Sequence, residues 1–142
     1  MAIRVYRGDL PNLSNYGREV AIDTETMGLN PHRDRLCLVQ LSPGDGSADI
    51  IQLPKDPAEA PNLVKLLTDP GVTKIFHYAR FDVAVLQQRF GVVTGPIYCT
   101  KIASRLVRTY TDRHGLKELA RELLNVDLSK QQQSSDWGNE KL

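Results

Sequence analysis

Three apolar runs come before any helical pattern, and that order constrains the fold more than any other feature of the chain. Residues 20–24, 36–41 and 48–53 each carry the aliphatic and β-branched side chains that suit a buried strand. The second run, Leu36-Cys37-Leu38-Val39-Gln40-Leu41, is apolar enough to be central in a sheet. Pro43-Gly44-Asp45-Gly46 joins it to the third with turn chemistry suited to a hairpin. The first half therefore reads as an antiparallel three-strand meander, with residues 3–6 as a short edge strand.

Beyond it, strands and helices alternate. Leu63, Val64, Leu66 and Leu67 fall at helical spacing within 61–67, and Asp69-Pro70-Gly71 stops that helix. A short β-like run at 73–76 precedes a helix over 80–90, which Gly91 closes. Another short strand is expected at 97–99 and a helix over 101–107. Leu116, Leu119, Ala120, Leu123 and Leu124 form a clean helical stripe. A meander followed by β-α units predicts an α/β fold, a mixed sheet flanked by helices.

At 142 residues the chain suits one domain. No run approaches the roughly 20 apolar residues that span a bilayer, and no signal-peptide pattern opens the chain. Cys37 and Cys99 stand apart without a Cys-x-x-Cys arrangement. They read as reduced thiols of a cytoplasmic protein, with a disulfide between them as the alternative. The formal charge of +1 excludes a strongly basic nucleic-acid binder, so a polyanionic substrate must be met by local basic clusters.

The chemistry concentrates where the first apolar run ends, at Asp23-Thr24-Glu25. Strand side chains alternate between faces, so Asp23 and Glu25 share one. Two same-facing carboxylates repel unless a proton or a cation joins them, and all-oxygen ligands suit hard ions such as Mg²⁺ or Mn²⁺. The other reading is a pair of solvated loop acids. A third acid, Asp82, opens the helix after the 73–76 strand, within His77-Tyr78-Ala79-Arg80-Phe81-Asp82. By itself it could simply complement the helix dipole.

Taken together, these segments resemble the DEDD superfamily of 3′–5′ exonucleases, whose first two motifs match 23–25 and 77–82. The resemblance extends to Cys99-Thr100-Lys101-Ile102-Ala103-Ser104 and to Arg113-His114-Gly115-Leu116, which look like ribonuclease D. Asn30-Pro31-His32-Arg33-Asp34, Thr109-Tyr110-Thr111-Asp112 and Gln131-Gln132-Gln133-Ser134-Ser135-Asp136-Trp137 are most similar to oligoribonucleases of the nanoRNase C type. The resemblance implies a ribonuclease-H-like sheet and two divalent ions, Mg²⁺ or Mn²⁺. Asp23 would bridge the ions, Glu25 would help orient metal and nucleophile, and Asp82 would hold the second metal. It also implies hydrolysis of short single-stranded RNA, down to dinucleotides, to nucleoside 5′-monophosphates by a homo-oligomeric ring. DNA as substrate and a catalytically impaired nucleic-acid-binding fragment of the same fold stand as alternatives.

The family's fourth acid comes from a Tyr-x-x-x-Asp helix after the Trp segment, and no such pattern follows Trp137. Residues 1–142 are therefore expected to be an exonuclease domain without that helix and weak in the second metal site. For substrate contacts the resemblance points to Thr26, Met27 and Leu29 after the acids, with Leu29 either wedging against bases or packing as a core leucine. His77, Lys101 and Arg105 would meet sugar or phosphate, with Arg108, Arg113, His114 and Lys117 in the same basic region. Lys130, Gln133, Ser135 and Trp137 would lie near the active site, which argues against a flexible linker there. No Gly-x-Gly-x-x-Gly or P-loop pattern supports a nucleotide cofactor, and no nucleophile elbow surrounds Ser104 or Cys99.

Overall fold

The computed structural model describes residues 2–56, 59–129 and 136–139. Six strands, β1 (Ile3–Arg7), β2 (Glu19–Thr26), β3 (Leu36–Ser42), β4 (Ala48–Gln52), β5 (Thr73–Phe76) and β6 (Ile97–Cys99), form one sheet. Its order is β1-β4-β3-β2-β5-β6. The expected meander is present: β2 pairs antiparallel with β3, and β3 with β4. The edge strand β1 runs parallel to β4, and β5 and β6 extend the other side in parallel.

Helix α1 (Pro61–Thr68) starts with Pro in its first turn, where a missing N–H costs nothing. Its Leu63, Leu66 and Leu67 are buried against the sheet's Val20, Ile22, Val39, Leu41 and Ile51. Helix α2 (Ala79–Phe90) adds Val85 and Leu86 to this core and ends on Gly91, whose φ of 71° is the left-handed geometry a C-terminal stop requires. Lys74 on β5 is wholly buried, with Nζ donating to the Asp69 and Gly95 carbonyls at 2.6 and 2.8 Å. It ties the end of α1 to the loop before β6.

The C-terminal half departs from expectation in its burial. Helix α3 (Thr100–Val107) buries only Ser104 and leaves Ile102, Leu106 and Val107 exposed. Helix α4 (Leu116–Leu119) passes into a π-helical turn over Ala120–Leu124. A π turn slips the register of an α-helix by one residue. Leu119 and Ala120 are buried, whereas Leu116, Leu123 and Leu124 face out, so the sequence stripe is not one buried face. Among the described residues no helix is long and apolar enough to cross a membrane.

Candidate active site

β2 carries core on one side and chemistry on the other. Val20, Ile22 and Thr24 are buried, while Ala21, Asp23 and Glu25 look into a cleft of about 740 Å³. A register shift between Glu25 and Thr26 ends regular pairing with β3 just past the acids. β3 places Gln40 opposite Asp23, and it shares the cleft. Lys101 and Thr100 from α3, Lys117 from α4, and Leu128, Ser129 and Trp137 supply other parts of the lining. Acid at the strand end therefore meets cation and aromatic elsewhere in the same cleft.

Among the described residues the acids pair with no basic side chain. Burial raises the pKa of Asp23. Burial, then the charge of Asp23, pushes Glu25 up to about 7. Asp82 is 4% exposed and is pushed up to about 7, chiefly by burial, with Asp23 and Glu25 adding repulsion against the hydrogen bond from Thr24. Each group thus resists carrying its charge alone.

Among the described residues, no three His, Cys, Asp or Glu side chains stand together as a ready metal site. Thr24 points to the buried side of β2, where it donates its hydroxyl to Asp82 Oδ1. Asp82 is outside the cleft lining but near enough to feel the charges of Asp23 and Glu25, and both it and Asp23 engage the Thr24 backbone amide. Thr24 was invisible as a site residue because it is the uncharged middle of the acidic triplet; its only signal was that position.

Other expected contacts sort clearly. Leu29 is 85% exposed, which removes the reading of it as a core leucine. Its loop is closed by Asp34, which accepts from the Asn30 amide at 3.0 Å, and a Cβ at Gly28 would collide with that carboxylate. Met27 is exposed and Thr26 donates its hydroxyl to the Gly28 carbonyl, so Thr26 shapes the loop. His77 lies in the cleft with Nδ1 2.9 Å from Thr100 Oγ1. Burial, then the Lys101 charge, lowers its pKa against a bond to the His114 backbone.

Lys101 sits with Nζ 4.4 Å from the centre of the Tyr78 ring. Tyr78 also lines the cleft, in a left-handed conformation at φ 70° that is uncommon for a residue with a side chain. Arg105 is exposed and not part of the lining. Arg108 is not a rim cation at all. It is buried, pairs with Glu122 at 2.5 Å, and donates to Ser104 Oγ at 2.9 Å and the Arg113 carbonyl at 2.7 Å. Trp137 does reach the cleft, and its Nε1 is buried without an acceptor among the described residues. The turn behind it packs closely, since a Cβ on Gly138 would lie 2.7 Å from Met27 Sδ. Lys130, Gln133 and Ser135 lie outside the described residues.

An antiparallel meander extended by β-α units, with an acidic pair at the end of β2 and a third acid on the helix after β5, defines a ribonuclease-H-like nuclease fold. A family model described as 3′–5′ exonuclease matches residues 9–142, and the chain belongs to that family. It is similar to ribonuclease D of Granulibacter bethesdensis, 35% identical over 87% of this chain and 31% of that protein. The chain thus spans about a third of that curated relative. Brucella melitensis NrnC with bound Mg²⁺ is 64% identical, covers all of this chain and 69% of its own, and superimposes with a TM-score of 0.95. NrnC from the same organism bound to pGG is 65% identical over the same shares, with a TM-score of 0.96.

The donor set fits a divalent cation by its chemistry: hard carboxylate oxygens, partly desolvated, mutually repelling and without basic partners among the described residues. Thr24 engages one of the two Asp82 oxygens, and a carboxylate has a second to offer.

Proposed function

We propose that the chain is the catalytic domain of a metal-dependent 3′–5′ exoribonuclease that hydrolyses short RNA to nucleoside 5′-monophosphates. The observation that carries this reading is the Asp23–Glu25 pair, its charge raised in energy, at the mouth of a cleft that also holds Lys101, Lys117 and Trp137. Asp23, Glu25 and Asp82 would hold two Mg²⁺ or Mn²⁺ ions. Bound there, such ions supply Lewis acidity at a scissile phosphate and lower the pKa of a water. The remaining work belongs to side chains. Lys101 and Lys117 neutralise phosphate oxygens that the acids would otherwise repel. Trp137 offers an aromatic face to a base, and Leu29 is exposed on the loop that follows the acids, free to act as a wedge. Thr24 keeps Asp82 oriented through its hydroxyl.

The reading includes assembly of copies, supported by the exposed apolar side chains of α3 and the π turn. Mg²⁺, a 5′-labelled oligoribonucleotide and product analysis test it. Stepwise release of nucleoside 5′-monophosphates from the 3′ end is expected. Endonucleolytic fragments, or 3′-phosphate products, would refute it. DNA of the same sequence, run in parallel, measures the sugar preference.

A second reading has its own observation. Because Asp82 is tied to Thr24 and the described acids form no three-membered group, the chain could bind nucleic acid without cleaving it. Metal-independent binding with no mononucleotide release would favour that reading.

A further inference from the structure

A second cavity, of about 190 Å³, lies between the turn leading into β3 and the second half of α2. Its lining brings Arg33, Arg35 and Arg89 together beside Leu36 and Val85. The acid of that lining is Asp34, and it is already engaged. It accepts from Arg33 Nε and Nη2, both at 3.0 Å, and from the Asn30 amide. Among the described residues Arg35 reaches two carbonyls, Leu53 at 3.3 Å and Gly138 at 3.4 Å, both long for hydrogen bonds. Arg89 Nη2 is buried and has no acceptor among the described residues. Burial, then the charge of Arg35, lowers the Arg89 pKa. Two guanidinium groups held close, one with an unmet buried donor, destabilise a fold unless an anion joins them.

We propose that this cavity binds a phosphate-class oxyanion between Arg35 and Arg89. The planar fork of each guanidinium suits tetrahedral oxyanions, and two such cations match a dianion better than a single carboxylate. Arg89 follows Asp82 on the same helix by about 10 Å of axial rise, so the anion is not the group held at the acidic cleft. Its source is either free phosphate or the backbone phosphate of a nucleic-acid strand leaving the cleft. The proposal does not depend on the nuclease reading, because binding alone defines it.

Titration of the metal-chelated protein with inorganic phosphate, followed by amide and arginine side-chain NMR shifts, tests it. Saturable shifts confined to residues 31–36 and 85–89 are expected. Affinity should fall at least about tenfold in Arg89→Met, the loss that accompanies one charge-assisted hydrogen bond. Arg35→Met, whose side chain has carbonyl partners only, gives the same reading if Arg89→Met does not fold. Shifts that never saturate, or unchanged affinity in a folded variant, overturn the proposal. Adding a short oligoribonucleotide to the phosphate complex identifies the source: displacement of phosphate from these resonances assigns the site to a strand, and retention assigns it to the free anion.

Discussion

Asp49 and Asp82 are both nearly buried, at 2% and 4% exposure, yet their surroundings are opposite. Asp49 on β4 receives Arg4 Nε at 2.6 Å and the Tyr16 hydroxyl, and Arg4 also reaches Ser47. Its charge is answered within the fold, and the pair staples β1 to β4. Asp82 receives the Thr24 hydroxyl, while the charges acting on it, from Asp23 and Glu25, are of its own sign. The fold can satisfy a buried carboxylate completely. Among the described residues it does not do so around Asp82, and the proposed reading gives that place to a cation from outside.

The largest expected contrast is in catalysis. Asp23→Asn should lower oligoribonucleotide hydrolysis on the order of 10²–10³-fold. Asp49→Asn should leave the rate per folded molecule unchanged, as steady-state kinetics on both would show. Comparable losses in the two would erase the distinction between the acids. Stability should divide the other way. Asp49→Asn leaves Arg4 without its carboxylate and should cost about 2–4 kcal/mol in denaturant unfolding, whereas Asp23→Asn relieves repulsion and should cost nothing.

The sheet and the acidic pair were readable because they rest on local periodicity. Strand alternation alone put Asp23 and Glu25 on one face, and the turn at 43–46 set the hairpin. What the sequence hid is tertiary. The same alternation that joined the two acids sent Thr24 to the side where α2 packs, and nothing local says that Asp82 waits there. Arg108 looked like any surface arginine until Glu122, fourteen positions on, proved to be its partner. Helices α1 and α3 carry similar apolar spacing, yet Leu63 is fully buried and Leu106 is 74% exposed. Periodicity announces an apolar face but not what meets it.

A smaller effect isolates Thr24. Thr24→Val keeps the shape and removes the hydroxyl, so Mn²⁺ affinity measured by electron paramagnetic resonance should weaken about tenfold. Thr24→Ser should restore it, which a purely structural role for the residue would not require.

The smallest effect concerns pH. Glu25 and Asp82 both have folded-state pKa values raised to about 7. Protonated, they favour folding, and that contribution is lost as pH rises from the usual carboxylate range through about 7. With Glu25 partly exposed and therefore screened, the metal-chelated protein should lose about 1–2 kcal/mol between pH 5 and pH 8. Mg²⁺ should recover that loss at pH 8 and do little at pH 5. Denaturant melts at the two pH values, with and without Mg²⁺, measure both.

Calorimetric titration with Mn²⁺ at pH 8 tests the central claim most directly. Saturable binding should occur in the unaltered chain and in Asp49→Asn, and should disappear in an Asp23→Asn/Glu25→Gln chain. Binding that survives loss of both cleft acids, or that never saturates in the unaltered chain, would contradict it.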